Sequence, residues 1–504
     1  MNDWLKNGLL LGLLILVANS CTRSDPSVIR FGLANAPLKL DPRFVTDAIP
    51  SRVCRLLYRQ LVDFDAHARP VPALAEWKVL SPIHLRFRLR EQGRLFHNGD
   101  RLTATDVKAT YDSVLDPKTA SPHRLSVALI KRIDVLDAET FDMHLHRADP
   151  AFVGYLVIGI LPAQLLHAKH PFSTHPLGSG EFRLHHWSAI DRLQLKRVRD
   201  GQVIEFVHIN NGTTRILKAL RGELDILQND LPNELVNYLS HDKNIRILRR
   251  PGTNFSYLGL NLQDKRLRHL DIRRAIAHAI NRPALVRAMF GPETRLANAL
   301  FTPEHWAGNP KLSAYNYDPE RARQLLAKHG FSRENPLKLV YKTTTDPFRV
   351  RIATIFQHQL GNVGIQVKLR TLEFGTFYAD IKKGNFDLYS LAWIGVKSPD
   401  MFRTVYHSAS IPTPNNGRQG ANRNHYRDPE VDRWIEQAER SRDETLRVQL
   451  FQKLHARLLD QLPVIPLWYE EQVAVLRQRI EGYTLDADGN YDSLLYVKIR
   501  PGSP

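Results

Sequence analysis

The residues with the clearest chemical potential fall in one short stretch: Trp393, Val396, Lys397, Arg403, Tyr406, Arg418, Asn422 and Arg423. An indole can stack on a guest, and a guanidinium can take a carboxylate through two parallel hydrogen bonds. The segment from Ser410 to Gln419 is rich in Pro, Asn and Gly and reads as an exposed loop. Two readings stay open: a solvated basic loop, or a cleft wall in which Arg423 or Arg403 holds a ligand carboxylate. Trp393 likewise reads as a ligand platform or as a core aromatic closing a strand. Thr46 and Asp47, after the first strand, are candidates for the opposite wall.

Signatures of bond-making chemistry are missing. The chain has no HExxH, CxxC, P-loop or GxSxG motif, and Gly178-Ser179-Gly180 reads as a turn. Its 21 histidines include His144 and His146 on one strand face, the pair His185-His186, and the group His167, His170 and His175. They form no recognised ligand motif with Asp, Glu or Cys, so the expectation is no metal, no cofactor and no enzymatic activity.

The elements that would position these residues alternate between strand and helix. His84 to Leu89 alternates strictly, with Leu85, Phe87 and Leu89 on one face. Thr103 opens a helix with Asp106 three residues on and an apolar stripe of Val107, Tyr111 and Val114. A second helix carries Ile272, Ala275, Ile276, Ala279 and Ile280. Asp318-Pro319 and Asp428-Pro429 each pair an N-cap with a proline at the first helical position. Ile352 to Leu360 reads as a helix, and Ile365 to Leu372 and Phe386 to Trp393 read as strands. This order argues for α/β lobes with partly parallel sheets and a ligand between lobes or at strand ends.

The 504 residues are 43% hydrophobic and 24% charged, which is globular and too long for one core. Formal net charge is +18, but Lys and Arg are scattered, so nucleic acid is not an expected partner. The charge fits a soluble basic surface, or attraction to acidic ligands or anionic lipid. Only two cysteines occur, Cys21 and Cys54, which rules out a disulfide scaffold. Lys6 precedes an apolar run from Leu9 to Ala18, too short to span a bilayer and long enough for a signal-peptide core. Val17-Ala18-Asn19-Ser20-Cys21 resembles a bacterial lipobox, in which the cysteine is acylated and becomes the first residue of the mature chain. Lone Cys54, among Val53, Leu56 and Leu57, reads as a small buried hydrophobe.

Several stretches, taken in order, carry a family resemblance. They are Leu40-Asp41-Pro42, Pro72-Ala73-Leu74-Ala75 with Trp77, and Phe96-His97-Asn98-Gly99 with Leu102-Thr103-Ala104 and Asp106-Val107. Next come Pro176 to Phe182, Tyr257-Leu258-Gly259-Leu260-Asn261, Arg273-Arg274-Ala275-Ile276 through Asn281-Arg282, Tyr317-Asp318-Pro319, and Gly384 with Phe386-Asp387 ahead of Trp393. Together they resemble the peptide and nickel class of ABC-importer binding proteins, solute-binding protein family 5. The resemblance implies a two-lobed α/β periplasmic binding protein with mixed sheets, a hinge between lobes, and an extra subdomain in lobe I. It places a signal peptide at 1–20, lobe I at 21–68 with 171–258 and 472–504, the subdomain at 69–170, and lobe II at 259–471. It implies a monomer in the periplasm or cell envelope, anchored to the membrane by lipid at Cys21, which passes a peptide or peptide-like solute to ABC permease subunits. A ligand-sensing or presenting receptor for a non-peptide acidic solute is the alternative.

One departure matters. In peptide-binding relatives, Trp and Gly are followed by an Asp that pairs with the ligand's amino terminus. The present stretch reads Trp393-Ile394-Gly395-Val396-Lys397-Ser398-Pro399-Asp400. Val396 cannot pair with an ammonium, Lys397 repels one, and Asp400 reaches the site only if the loop folds back. The expected guest is therefore an amine-blocked or acidic peptide, or another solute.

Overall fold

The computed structural model describes residues 25–189, 192–313, 315–416, 418 and 420–501, so the expected lipidation site, Cys21, lies outside the described residues. Helix starts follow the polar caps. Asp318, Asp346, Asp428 and Asp443 each accept a hydrogen bond from a first-turn backbone N–H, and proline follows the first three at the head of the helix. Asp106 closes a capping box with Thr103, whose N–H and Oγ1 donate to it at 2.7 and 2.9 Å. Thr110 contributes more than its methyl group: its buried hydroxyl donates to the Asp106 carbonyl and accepts from the Leu161 N–H at 3.0 Å. The Ile365–Leu372 strand forms where the alternation places it. The helix expected from Ile352 begins earlier, at Pro347, because Asp346 caps it.

An 11-stranded mixed sheet runs through the molecule. Its spatial order is Ile365–Leu372, Leu337–Thr344, Leu388–Trp393, Ile245–Leu260, Val464–Arg477, Ile226–Gln228, Ile29–Leu33, Val203–His208, Arg192–Arg197 and Phe182–Ala189. The short Arg295–Leu296 strand pairs beside Val464–Arg477. Parallel pairs lie toward both ends, between Leu337–Thr344 and Ile365–Leu372 and between Ile29–Leu33 and Val203–His208. Helices cover these strands, as buried parallel strands require.

The long antiparallel pair in the middle, Ile245–Leu260 with Val464–Arg477, belongs to two cores. Ile245, Val473, Ala474, Val475 and Leu476 pack with the N-terminal strands. Phe255, Tyr257, Leu258, Leu260, Val464, Ile465, Leu467 and Tyr469 pack with residues from the other half of the sheet. Register breaks between Arg250 and Asn254, where the pair changes cores. Gly252 sits there, and a Cβ on it would fall 2.0 Å from the Glu470 carbonyl oxygen, so the strands approach too closely for any side chain.

The molecule is thus two-lobed. A third core, including Leu85, Phe87, Tyr111, Phe141 and Met143, lies under a separate four-stranded antiparallel sheet. Cys54 is buried in the first lobe's core, and burial pushes its thiol pKa far up, leaving an inert apolar group. Among the described residues, no helix is long and apolar enough to cross a membrane.

Candidate functional site

The Leu388–Trp393 strand ends with Trp393 beside the inter-lobe pair, opposite Phe255. The chain then turns at Gly395, whose φ of +66° favours glycine. The indole is only partly buried and stacks on Tyr257, with ring centroids 6.4 Å apart. Over it lies Arg423, its guanidinium carbon 4.7 Å from the Trp393 ring centre and 5.0 Å from that of Tyr378. Arg423 Nη2 donates to Tyr378 Oη at 2.8 Å, while Nε is buried without a hydrogen-bond partner. Arg423 is 8% exposed and, among the described residues, pairs with no carboxylate. Burial works against its charge, yet the surrounding hydroxyls of Tyr257, Tyr378 and Tyr389 outweigh it and hold its pKa above the ordinary value. A buried guanidinium held by phenols and aromatic faces, with no carboxylate among the described residues, is marked as a functional candidate.

Arg403 is placed differently. It is bound by Glu439 through two hydrogen bonds of 2.6 and 2.8 Å, and Arg147 from the four-stranded unit reaches the same carboxylate at 3.2 Å. Its guanidinium already has an anion. Asn422 is 1% exposed, and its amide group donates to the Tyr406, His407 and Tyr426 carbonyls, tying down the loop. Tyr406 and Val396 are buried in the second lobe's core. The segment expected as an exposed loop buries Ile411 and Pro412 as well. Thr46 and Asp47 are exposed at the head of the Ala48–Leu57 helix in the first lobe.

Lys397 spans the gap between lobes. Its Nζ lies 2.6 Å from Asp488 and 5.4 Å from the centre of the Phe64 ring, both first-lobe groups. Burial tends to raise the Asp488 pKa, but the Lys397 charge overrides this and holds it below the usual carboxylate value. Three further pairs cross between bodies: Arg69 with Glu444 at 2.6 Å, Arg147 with Glu439, and Arg351 with Glu234 at 3.1 Å. Tyr378, Asp488 and Glu439, the partners that decide what each basic residue can do, carry no signal in the sequence. Asp488 comes about ninety residues after Lys397, and only the sheet topology joins them.

Asp400 does not reach the Trp393 platform. It sits in a crevice with Asp149, Tyr155, Glu439 and Arg447, where the four-stranded unit meets the second lobe. Burial, reinforced by the charges of Asp149 and Glu439 and opposed by a Ser398 hydrogen bond, pushes Asp400 up to about 7. Burial and Glu439 likewise push Asp149 up to about 6. Arg147 and Arg403 face the cluster through Glu439, and Arg447 lines it directly. With pKa values raised by packing, the packed state holds protons that the separated state has released. This contact is therefore at full strength below about pH 4 and weakens as pH rises to about 7. Asp400→Asn should raise thermal stability, with a gain that grows from about pH 5 to about pH 8 and amounts to about 1–2 kcal/mol at the upper end. Melting curves of both proteins at the two pH values check this. A gain independent of pH would contradict the buried-carboxyl assignment.

Residues 69–413, more than half of the chain, match the family described as bacterial extracellular solute-binding proteins, family 5. Among curated proteins, the chain is similar to the dipeptide-binding protein of Escherichia coli K12, 24% identical over 529 aligned positions, gaps included, that cover 96% of this chain and 97% of that one. Among solved structures, it superposes on NikZ from Campylobacter jejuni, in complex with Ni(L-His), with a TM-score of 0.83 at 23% identity, covering 94% and 100% of the two chains. It superposes equally, at 0.83 and 19% identity, on the oligopeptide-binding protein AppA from Bacillus subtilis in complex with a nonapeptide, covering 94% and 98%. These relatives are binding proteins, and their guests differ widely within one architecture. The two-lobed sheet, the paired strands that pass between its cores and the match over residues 69–413 agree: this chain belongs to the bacterial extracellular solute-binding proteins of family 5.

Proposed function

We propose that this protein is the capture component of an ABC importer, closing its lobes around an acidic or amine-blocked peptide-like solute and handing it unchanged to the permease. The observation that carries the reading is Arg423, a buried guanidinium packed against Trp393 and Tyr378 with no carboxylate partner among the described residues. A ligand carboxylate would supply the missing charge, and Trp393 would stack on the guest. Arg403, Tyr406, Asn422 and Val396 would support this wall from behind, with Thr46 and Asp47 opposite. No bound cofactor and no catalytic step are needed.

Lys397 supports the choice of ligand class. Where relatives that bind free peptides offer an aspartate, this chain offers Val396, and beside it stands Lys397, engaged with Asp488. An ammonium placed there would have to break that pair and face its cation. The same contact acts as a latch between lobes. Lys397→Ala is expected to favour an open form, and small-angle scattering of the ligand-free protein should show a larger radius of gyration than wild type. Equal radii would remove the latch.

In this reading Cys21 is acylated and holds a monomer at the cell envelope. Native mass spectrometry of the full chain extracted from its own cells tests the whole proposal. The expected spectrum shows one acidic or amine-blocked guest released intact on denaturation, and an acyl mass at Cys21. A guest recovered as cleavage products would favour an enzyme, and a free-amine dipeptide would overturn the ligand class. A sensing or presenting receptor would bind the same guest, but its deletion would leave uptake of that guest intact.

A further inference from the structure

The outer face of the four-stranded sheet carries a group of side chains that solute capture does not use. His84 and His144 stand directly opposite each other on adjacent antiparallel strands, His84–Leu89 and Thr140–Leu145. Their rings stack with centroids 4.2 Å apart at 21°. Asp142, one strand step along the same face, is buried at 5% exposure. One ligand atom each from His84, His144 and Asp142 can be chosen so that all lie within 4.8 Å of one another. Asp134, paired with Asp142 on the neighbouring Ile130–Val135 strand, holds His144 Nε2 at 3.1 Å.

Two features separate this group from an ordinary surface ion network. His84 Nε2 is buried against Asp142 Oδ2 at 2.9 Å, with no other partner among the described residues. The carboxylates are also oriented from outside, Asp142 by two hydrogen bonds from Arg86 and Asp134 by Arg132. Such outer partners fix ligand geometry in metal sites. We propose that His84, His144 and Asp142 form a site for a borderline divalent transition-metal ion such as Zn2+ or Ni2+, with Asp134 orienting His144 or closing the coordination.

Two imidazoles and a carboxylate suit these ions rather than Ca2+ or Mg2+, which prefer all-oxygen sets. Arg86 and Arg132 already balance the two carboxylates, so a dication adds net charge, and micromolar affinity is expected. The spacing along the chain concealed the site: His84 and His144 are about sixty residues apart, and the histidine motif visible in sequence, His144 with His146, is not the pair that meets.

Isothermal titration of the full chain with Zn2+ and, separately, Ni2+ decides the matter. The expected result is saturable binding that includes one site lost in the His84→Gln, His144→Gln double variant. Single variants should weaken that site by about tenfold or more. His185→Gln with His186→Gln, which removes an exposed pair elsewhere, should leave it intact. Asp142→Asn should weaken it too; should that variant unfold, the histidine variants, whose rings lie on the outer face, still decide. Absence of saturable binding in wild type, or unchanged binding in the double histidine variant, overturns the proposal.

Discussion

Arg423→Ala should reduce ligand affinity by about a hundredfold, because truncating one partner of a buried charge pair removes about 2–5 kcal/mol. The measurement has two parts. Native mass spectrometry of the variant from its own cells should show the carried guest gone, and titration with the guest recovered from wild type should give the affinity ratio. Arg423→Lys should not rescue binding. A lysine cannot present two parallel donors to a carboxylate, nor does its compact ammonium offer the planar surface that a guanidinium offers to the Trp393 and Tyr378 rings. A purely structural arginine would behave otherwise. If Arg423 were there to hold the fold, its loss would lower thermal stability, and no ligand would matter. The contacts with Trp393 and the tyrosines offset the cost of burying its charge, so Arg423→Ala should change the melting temperature of the ligand-free protein only slightly. A large loss of stability with retained ligand would refute the binding role.

Much of the fold was legible because its signals are local. The Asp-Pro starts at Asp318 and Asp428, the capping box at Thr103 and the alternation through His84–Leu89 and Ile365–Leu372 each depend on residues within one or two turns of one another. Boundaries slipped where a cap lay outside the apolar pattern, as Asp346 did for the helix that begins at Pro347. The pairing of Ile245–Leu260 with Val464–Arg477 is a different kind of fact. It joins segments about two hundred residues apart, and no periodicity announces it. Only the ordered set of family stretches implied two lobes joined by a hinge.

Basic residues near Trp393 were visible, but their division of labour was not. In sequence, Arg403 and Arg423 are equivalent candidates for a carboxylate. In the fold, Glu439 already occupies Arg403, whereas among the described residues Arg423 meets aromatic faces and phenol hydroxyls. The difference is made by Tyr378 and Glu439, which local spacing cannot connect to either arginine. Lys397 repeats the lesson, since its repulsion of an ammonium was readable and its pairing with Asp488 was not. Charge type is written in the residue, whereas the counter-ion that decides its use is written in topology.

The counter-ion argument also identifies the side chains that hold the first lobe together, and there its sign reverses. Asp225 and Arg479 are 1% and 7% exposed and joined by two hydrogen bonds of 2.6 and 2.8 Å. Arg479 also donates to the Pro26 and Val28 carbonyls, and Asp225 accepts from the Arg30 N–H at 2.8 Å. The pair therefore ties the chain entering the first strand to the segment that follows the long inter-lobe strand. Asp225→Ala would leave Arg479 buried without its anion and should cost about 3–5 kcal/mol, read as a fall in the urea midpoint. Asp225→Leu combined with Arg479→Met should cost much less than the single change, since an apolar pair leaves no stranded charge. Asp225 and Arg479 flank Ile226–Gln228 and Val464–Arg477, and Ile245–Leu260 stands between that pair and the Trp393 strand, so under native conditions both variants should bind ligand as wild type does. Set beside Arg423→Ala, the contrast is diagnostic: removing a charge paired with its counter-ion damages the fold and spares binding, while removing one without a counter-ion spares the fold and weakens binding. If Asp225→Ala weakened ligand binding as much as stability, the two lobes would not be energetically separable, and lobe closure around a guest would need a different account.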